Sequence, residues 1–497
     1  MIAQILSMVM GFISQRFFLR YLGLEVVGIN SVITETLGFL SFAELGVGTA
    51  ISFRLYKPLT QNDTNELAAL MKLYRTLYQI IGIVVLVAGL GLSFMLPIFI
   101  NDTSFDFKFI YCAYFVQLIA TASTYFFAYK RSLIFVDQKQ FVCKISDISC
   151  NIVFSIFRIL ILIFTCNYHL YLIVQLLQTL TSNIILSCYC NKNYPFVKVK
   201  MKERYHDIRG MFKDTKDVLL GRVAGYVYSS TDNLVISTFS GIVSAGGLSN
   251  YRYVTNSVKN LSYGITDSIT ATIGNSVQLR NKEDNYQMFQ KYTFIRFVLA
   301  NIMVTGICMC TEAFVGVFFG TEYIMHYSVL WLIAADIYIG VVYGPSGEFI
   351  NVLGYFKYEK YINILGALIN IGLSVLLVQF IGIQGVLIGT VISQVFFWIS
   401  KSALLYWKYF ESWKRYMNIW MDYLKYTILT IVQVWILHLL KQRWLFQRYD
   451  IVAFLLEGIG SVVASILLIT IFFGRTKEYH YLITIVKQLC SRLMKFK

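Results

Sequence analysis

The sequence predicts an all-α polytopic membrane protein of about 14 transmembrane helices, on three observations: composition, evenly spaced apolar runs, and one-sided basic residues. Of 497 residues, 57% are hydrophobic and 14% charged, against roughly 45–50% and about 25% in an average soluble chain. Aromatics reach 16%, which suits interfacial belts where Tyr and Trp keep one polar end in water. A soluble chain of this length would divide at polar linkers, and none of that kind is present. The nine cysteines form no CxxC and no ligand spacing with histidine, and most lie in apolar runs as small core hydrophobes.

A hydrocarbon core of roughly 30 Å needs about 20 apolar residues per helix. Such runs fall near 2–22, 27–53, 76–100, 107–129, 145–166, 168–190, 218–240, 247–277, 292–319, 327–353, 361–381, 383–407, 423–440 and 451–473. The first begins at Met1 without a positively charged n-region or an A-x-A site, so it reads as a retained helix rather than a removable signal.

Orientation follows from charge. The loops around 54–75, 130–144, 192–216, 280–291, 357–360 and 401–425, with the tail 475–497, hold 32 Lys and Arg. The opposite loops hold four, Lys108, Lys441, Arg443 and Arg448. The positive-inside rule then puts both termini in the cytoplasm. Basic loops beside anionic lipid also account for the net charge of +16 without nucleic acid.

The expected organisation is a lobe over 1–190, a basic cytoplasmic linker over 191–217, a second lobe over 218–408, and two further spans with a basic tail over 409–497. The opening hairpins of the two lobes look alike. Gly23 to Gly28 matches Gly241 to Gly246 in spacing, each soon followed by Asn30 or Asn250. Both lobes begin on the same side, as in a parallel repeat.

Polar residues inside the spans are the functional candidates, because a charge at the bilayer centre costs roughly 2.5–3.5 kcal/mol and usually faces a water-filled cavity. Arg16 and Arg20 share a face of the first span. Arg54 lies near a cytoplasmic edge, and Arg158 is deep in the fifth span. Arg252, Asn256 and Lys259 form one polar stripe at i, i+4, i+7. The acids are Glu44, Asp232, Asp267, Asp336 and Glu348. Asp232 is either a partner for a cation such as Arg252 or a proton or sodium site. Glu44 is either an ion-coupling group or a structural bond to a neighbouring helix. A lumen with more arginine than carboxylate would attract an anionic substrate, since the guanidinium fork suits phosphate. There is no GxxxxGK[ST], HExxH or GxSxG, so no cofactor or catalytic residue is predicted. Transport would then run on a Na+ or H+ gradient, or on supply and removal of substrate.

Several stretches resemble the Wzx-type polysaccharide flippases of the multidrug/oligosaccharidyl-lipid/polysaccharide exporter superfamily. They are Phe17-Phe-Leu-Arg-Tyr-Leu-Gly-Leu-Glu-Val-Val-Gly-Ile-Asn30, Leu40-Ser-Phe-Ala-Glu-Leu-Gly-Val-Gly48, Leu55-Tyr-Lys-Pro58, Ser230-Thr-Asp-Asn-Leu-Val-Ile-Ser237, Gly247-Leu-Ser-Asn-Tyr251 and Ile273-Gly-Asn275. The chain starts abruptly relative to that family's usual form. The resemblance implies two six-helix lobes in a V around a cationic lumen, with two final helices that carry a lipid tail. It implies an undecaprenyl-diphosphate-linked oligosaccharide repeat unit as substrate, flipped across the bacterial cytoplasmic membrane by alternating access for capsular or other surface polysaccharide. Glycosyltransferases and a polysaccharide polymerase would be its partners, with membrane lipids around it. On this sequence the implied cavity arginines are Arg16, Arg20, Arg54 and Arg252. Two alternatives share the fold: a multidrug extruder and a lipid II flippase. An envelope polymerase or acyltransferase is a third, disfavoured by outer loops mostly under ten residues long.

Overall fold

A computed structural model describes residues 2–44, 47–198, 216–279, 281–444 and 450–494. Among them the regular structure is helical: α1 (Ile2–Gly38), α2 (Val47–Thr60), α3 (Thr64–Ser93), α4 (Leu96–Phe99), α5 (Phe107–Val136), α6 (Gln140–Thr165), α7 (Tyr168–Asn193), α8 (Lys216–Ser230), α9 (Asp232–Ser240), α10 (Ile242–Leu279), α11 (Lys282–Phe318), α12 (Tyr327–Val342), α13 (Gly344–Val352), α14 (Phe356–Ile381), α15 (Ile383–Leu405), α16 (Trp413–Trp444), α17 (Ile451–Phe473) and α18 (Lys477–Met494). Local chemistry sets several starts. Asp63, Asn167, Asn281 and Asp450 each accept a backbone N–H from the first turn they cap, at 2.7–3.1 Å, satisfying donors the helix leaves open.

Eleven helices among the described residues are long and apolar enough to cross a membrane. The fourteen expected spans map onto them with three differences. Leu6–Phe42 carries two spans in one assignment. The run 218–240 is split into the short helices α8 and α9. The run 247–277 lies in α10, whose side chains over 261–276, including Asp267, fall outside the described residues. Most of the expected linker, 199–215, falls outside them too.

Gly23 interrupts α1 at φ 82°, ψ 171°, a conformation open to glycine and strained for other residues. The chain reverses there. Phe18 packs edge-on against Tyr168 at 5.8 Å, and Asn30 meets the hydroxyl of the same tyrosine at 3.1 Å. Twelve residues of straight helix would hold those contacts about 18 Å apart. Gly241 repeats the conformation at φ 85°, ψ 159°.

Contacts divide the chain into two compact units, 1–249 and 250–497. In the first, α5 packs on α3 and α7, and the two glycine-led hairpins cross. A Cβ on Gly28 would overlap the Ile242 carbonyl, and one on Gly246 would overlap the Leu24 carbonyl. Beyond the crossing, Ser31 and Ser249 share a 2.5 Å hydrogen bond. Small residues at such crossings let helix backbones meet, which is how helices associate in lipid.

The second unit is built around α11, with 72% of its apolar window buried. Phe294 and Phe297 stack with Tyr426 of α16 and Phe473 of α17. In contrast, α17 is only 22% buried. Its inward stripe is Ala453, Glu457, Ser461, Ser465 and Ile469, while large apolar side chains such as Leu455, Ile459 and Ile466 face outward. A helix with its polar stripe inside and its apolar surface outside is one solvated by lipid.

Candidate functional site

The predicted residues fall into both units. In the first, Arg16 and Arg20 are exposed on α1, one turn apart, and neither makes an ion pair with a described residue. Arg54 on α2 is half-buried. Arg158 donates to Ser155 at 2.8 Å and lies 5.3 Å from the Tyr171 ring centre. Its guanidinium is therefore held against α7. Glu44 accepts a hydrogen bond from Tyr78, and Tyr74 beside it reaches the Gly48 carbonyl at 3.4 Å. Asp232 is buried at the start of α9. In the second unit, Arg252, Asn256 and Lys259 follow one another along α10, Asn256 exposed and the two cations half-buried.

A cavity of about 280 Å³ opens inside the first unit. Three helices line it in register: Thr34, Gly38 and Ser41 from α1 and the turn after it, Gln117, Thr121 and Thr124 from α5, and Leu172, Gln175 and Thr179 from α7, with Tyr125 closing one side. At its rim Gln117 and Tyr168 both donate to the Asn30 side-chain carbonyl at 3.1 Å. The lining is neutral and mixed: apolar surface predominates, with amides and hydroxyls set into it, and the hydroxyls of Thr34, Thr121, Thr124 and Thr179 donate to their own helix carbonyls and so offer acceptor oxygens. Such a surface suits a polyhydroxylated ligand. Each helix presents its polar residues three or four apart, the sequence signal for this cavity. A search directed at charge passes over it.

Three further charged residues inside the bundle, only the last of them fully buried, lie outside the sequence-predicted set. Glu35 accepts from Asn233 at 2.6 Å beside the hairpin crossing, and Asn233 also donates to Ser249 at 3.2 Å. Asp147 pairs with Arg131 and accepts from Ser182 at 2.7 Å. Arg296, 2% exposed, donates to the Val341 carbonyl at 3.0 Å and lies 3.5 Å from Glu348. Glu348 also accepts from Tyr292 at 2.5 Å, so its carboxylate is tied to α11 rather than solvated. Lys441, counted above as an outer-loop cation, is instead inside the bundle on α16, with its side chain 11% exposed.

A helical bundle of this build, with apolar outer faces and polar side chains within, is that of a multi-pass membrane protein. Solved transporters share it. The lipid II flippase MurJ in an inward closed conformation aligns with a TM-score of 0.66 at 14% identity, over 95% of this chain and 98% of that chain. An inward-facing multidrug resistance MATE family transporter of the MOP superfamily gives 0.63 at 14%, over 80% and 95%. An outward-facing one gives 0.56 at 15%, over 80% and 92%. At these identities the likeness is one of fold. No curated protein matches the chain. The chain belongs to the polysaccharide biosynthesis protein family, whose model matches residues 1–273.

Proposed function

We propose that the protein flips undecaprenyl-diphosphate-linked oligosaccharide repeat units across the bacterial cytoplasmic membrane for capsular or other surface polysaccharide. The observation that carries this reading is the neutral, hydroxyl-lined cavity of α1, α5 and α7, which lies wholly within the family-matched segment. Its threonine oxygens can accept from sugar hydroxyls, and Gln175 can also donate, without the cost of a buried charge. Arg16, Arg20, Arg54 and Arg252 would receive the diphosphate, Asn256 and Lys259 would extend the polar path, and the polyprenyl tail would stay in lipid. Both termini would lie in the cytoplasm. Glu44 and Asp232 are the carboxylates through which Na+ or H+ could drive the cycle. Glycosyltransferases would supply the substrate and a polymerase would consume it.

Deleting the gene should abolish surface polysaccharide, and the wild-type chain should restore it. Arg16→Gln combined with Arg252→Gln should reach the membrane at normal levels and fail to restore it. Full export by that double variant sinks the arginine assignment. Drug sensitivity on deletion with polysaccharide intact makes the protein a multidrug extruder instead, a role the MATE-like fold allows. Rescue of a strain lacking its lipid II flippase assigns that substrate.

A further inference from the structure

We propose that Glu312 of α11, Lys441 of α16 and Glu457 of α17 form a buried proton-binding site, which holds one proton on one of its two carboxylates while the three helices are packed together. The Lys441 ammonium lies 3.0 Å from Glu457 Oε1 and 3.6 Å from Glu312 Oε2, and donates to the Met309 carbonyl at 2.7 Å. The side chains of Glu312 and Glu457 are 3% and 4% exposed. Two carboxylates thus share one ammonium out of contact with water. The second negative charge is uncompensated, and like charges this close in a medium of low dielectric do not both persist. Moreover, Oε2 of Glu312 and Oε2 of Glu457 are both buried and take no hydrogen bond. A proton removes the surplus charge, and with it the cost of burying a charged oxygen that takes no hydrogen bond from a described residue.

Among the described residues, the remaining neighbours do not supply the missing charge. On α11, Cys308 and Cys310 are within electrostatic reach of the carboxylates and Lys441, and a thiol offers no positive charge. On α16, His438 lies one turn before Lys441 and feels both Glu312 and Lys441. Its ring packs edge-on against Tyr327 and Trp331 of α12 at 4.7 and 5.5 Å and meets Gln442 at 3.0 Å. Being half-buried, it is the titratable group through which a proton can pass between surface and cluster. A metal ion fits less well. The ammonium already occupies the position between the carboxylates, and the Met309 carbonyl is engaged with it, whereas a hard cation takes about six oxygens. Nothing in the site depends on which substrate the protein carries.

The test is infrared difference spectroscopy of the full chain in lipid nanodiscs at neutral pH. Wild type minus Glu312→Gln, and wild type minus Glu457→Gln, should each show the carbonyl band of one protonated carboxylic acid, shifted in deuterated water. Lys441→Met, which leaves two carboxylates without their ammonium, should roughly double that band. The Gln variants are isosteric, and if one fails to fold the other difference spectrum decides. Absence of the band from both difference spectra overturns the proposal. So does its loss when sodium replaces choline at constant pH and ionic strength, because the site then holds a metal ion.

Discussion

Asn30 sits where two donors converge, and its side-chain carbonyl accepts from both Gln117 and Tyr168. In lipid, no water replaces a partner that is removed. Substitutions here therefore act through the groups left behind, at about 0.6 kcal/mol on average for a membrane hydrogen bond. Residues outside the bilayer obey the solvent's rules instead. Asp137, just past α5, accepts from Tyr194 at 2.5 Å and pairs with Lys139 at 2.7 Å. Burial alone would raise the Asp137 carboxyl, but the hydrogen bonds from Lys139 and Tyr194 outweigh it and hold the carboxyl below its ordinary value. The same bond, against a smaller desolvation, lifts Lys139 above its own. The sign of each shift fixes the window. The depressed acid stabilises above roughly pH 4 and loses its effect as pH falls through the lowered value; the raised base stabilises below roughly pH 10 and loses its effect above it. Asp137→Asn should lower the thermal midpoint modestly between those limits, by an amount that shrinks as the pH falls through the lowered value. The effect is small because Lys139 is nearly half exposed. A loss that stays constant as the acid is titrated would mean the carboxylate charge is not what matters.

At the scale of elements, the reciprocal crossing of the two hairpins makes a sharper test. Gly28 touches the start of α10, and Gly246 touches the start of the second half of α1, each against backbone that cannot step aside. Overpacking usually costs about 1–3 kcal/mol, and Gly28→Val should fall at the upper end of that range. In a cysteine-free background, Ser31→Cys with Ser249→Cys should form a disulfide under mild oxidation, and Gly28→Val should suppress it. A cross-link that forms equally well with valine present would refute the close approach. The paired glycines were legible in the sequence because they recur at the same spacing. Their mutual fit was not, because it joins residues 218 positions apart. Hydropathy likewise located the helices but not their buried faces. In a membrane, core and solvent are both apolar, so the side that carries Glu457 and Ser465 looks no more interior than its opposite. That is why Lys441 reads from sequence as a loop cation, and why Glu35 and Glu312 do not stand out as candidates. The arginines were visible as charges in apolar runs, whereas the polar cavity was written only in threonine and glutamine.

For the whole molecule, the family match and the shared fold describe a polysaccharide biosynthesis protein built of membrane-length helices, whose polar side chains turn inward within each unit. The second unit shows how far that inversion goes. Asn301 donates to Thr430 at 2.9 Å and to Gln433 at 3.1 Å. Gln433 in turn donates to Ser465 at 2.6 Å and to Thr305 at 3.3 Å. Together with the Glu312, Lys441 and Glu457 cluster, this ties α11 to α16 and α17 along its length. Those last two helices are integral to the second unit, and they lie beyond the family-matched residues.

The same ties impose an order on how the chain is made. Asn301 and Thr430 are 129 residues apart, so α11 leaves the ribosome well before its partners exist. At about 5–20 residues per second that gap lasts roughly 6–26 s. Throughout it, the amide of Asn301 and the carboxylate of Glu312 face either lipid or an insertion factor that shields them. A nascent chain halted at residue 412 should keep α11 cross-linkable to the membrane insertion machinery, and one extended through residue 475 should release it. Equal release at both lengths would show that α11 settles without them. For this protein, synthesis is a period of waiting, and the helices made last determine when the wait ends.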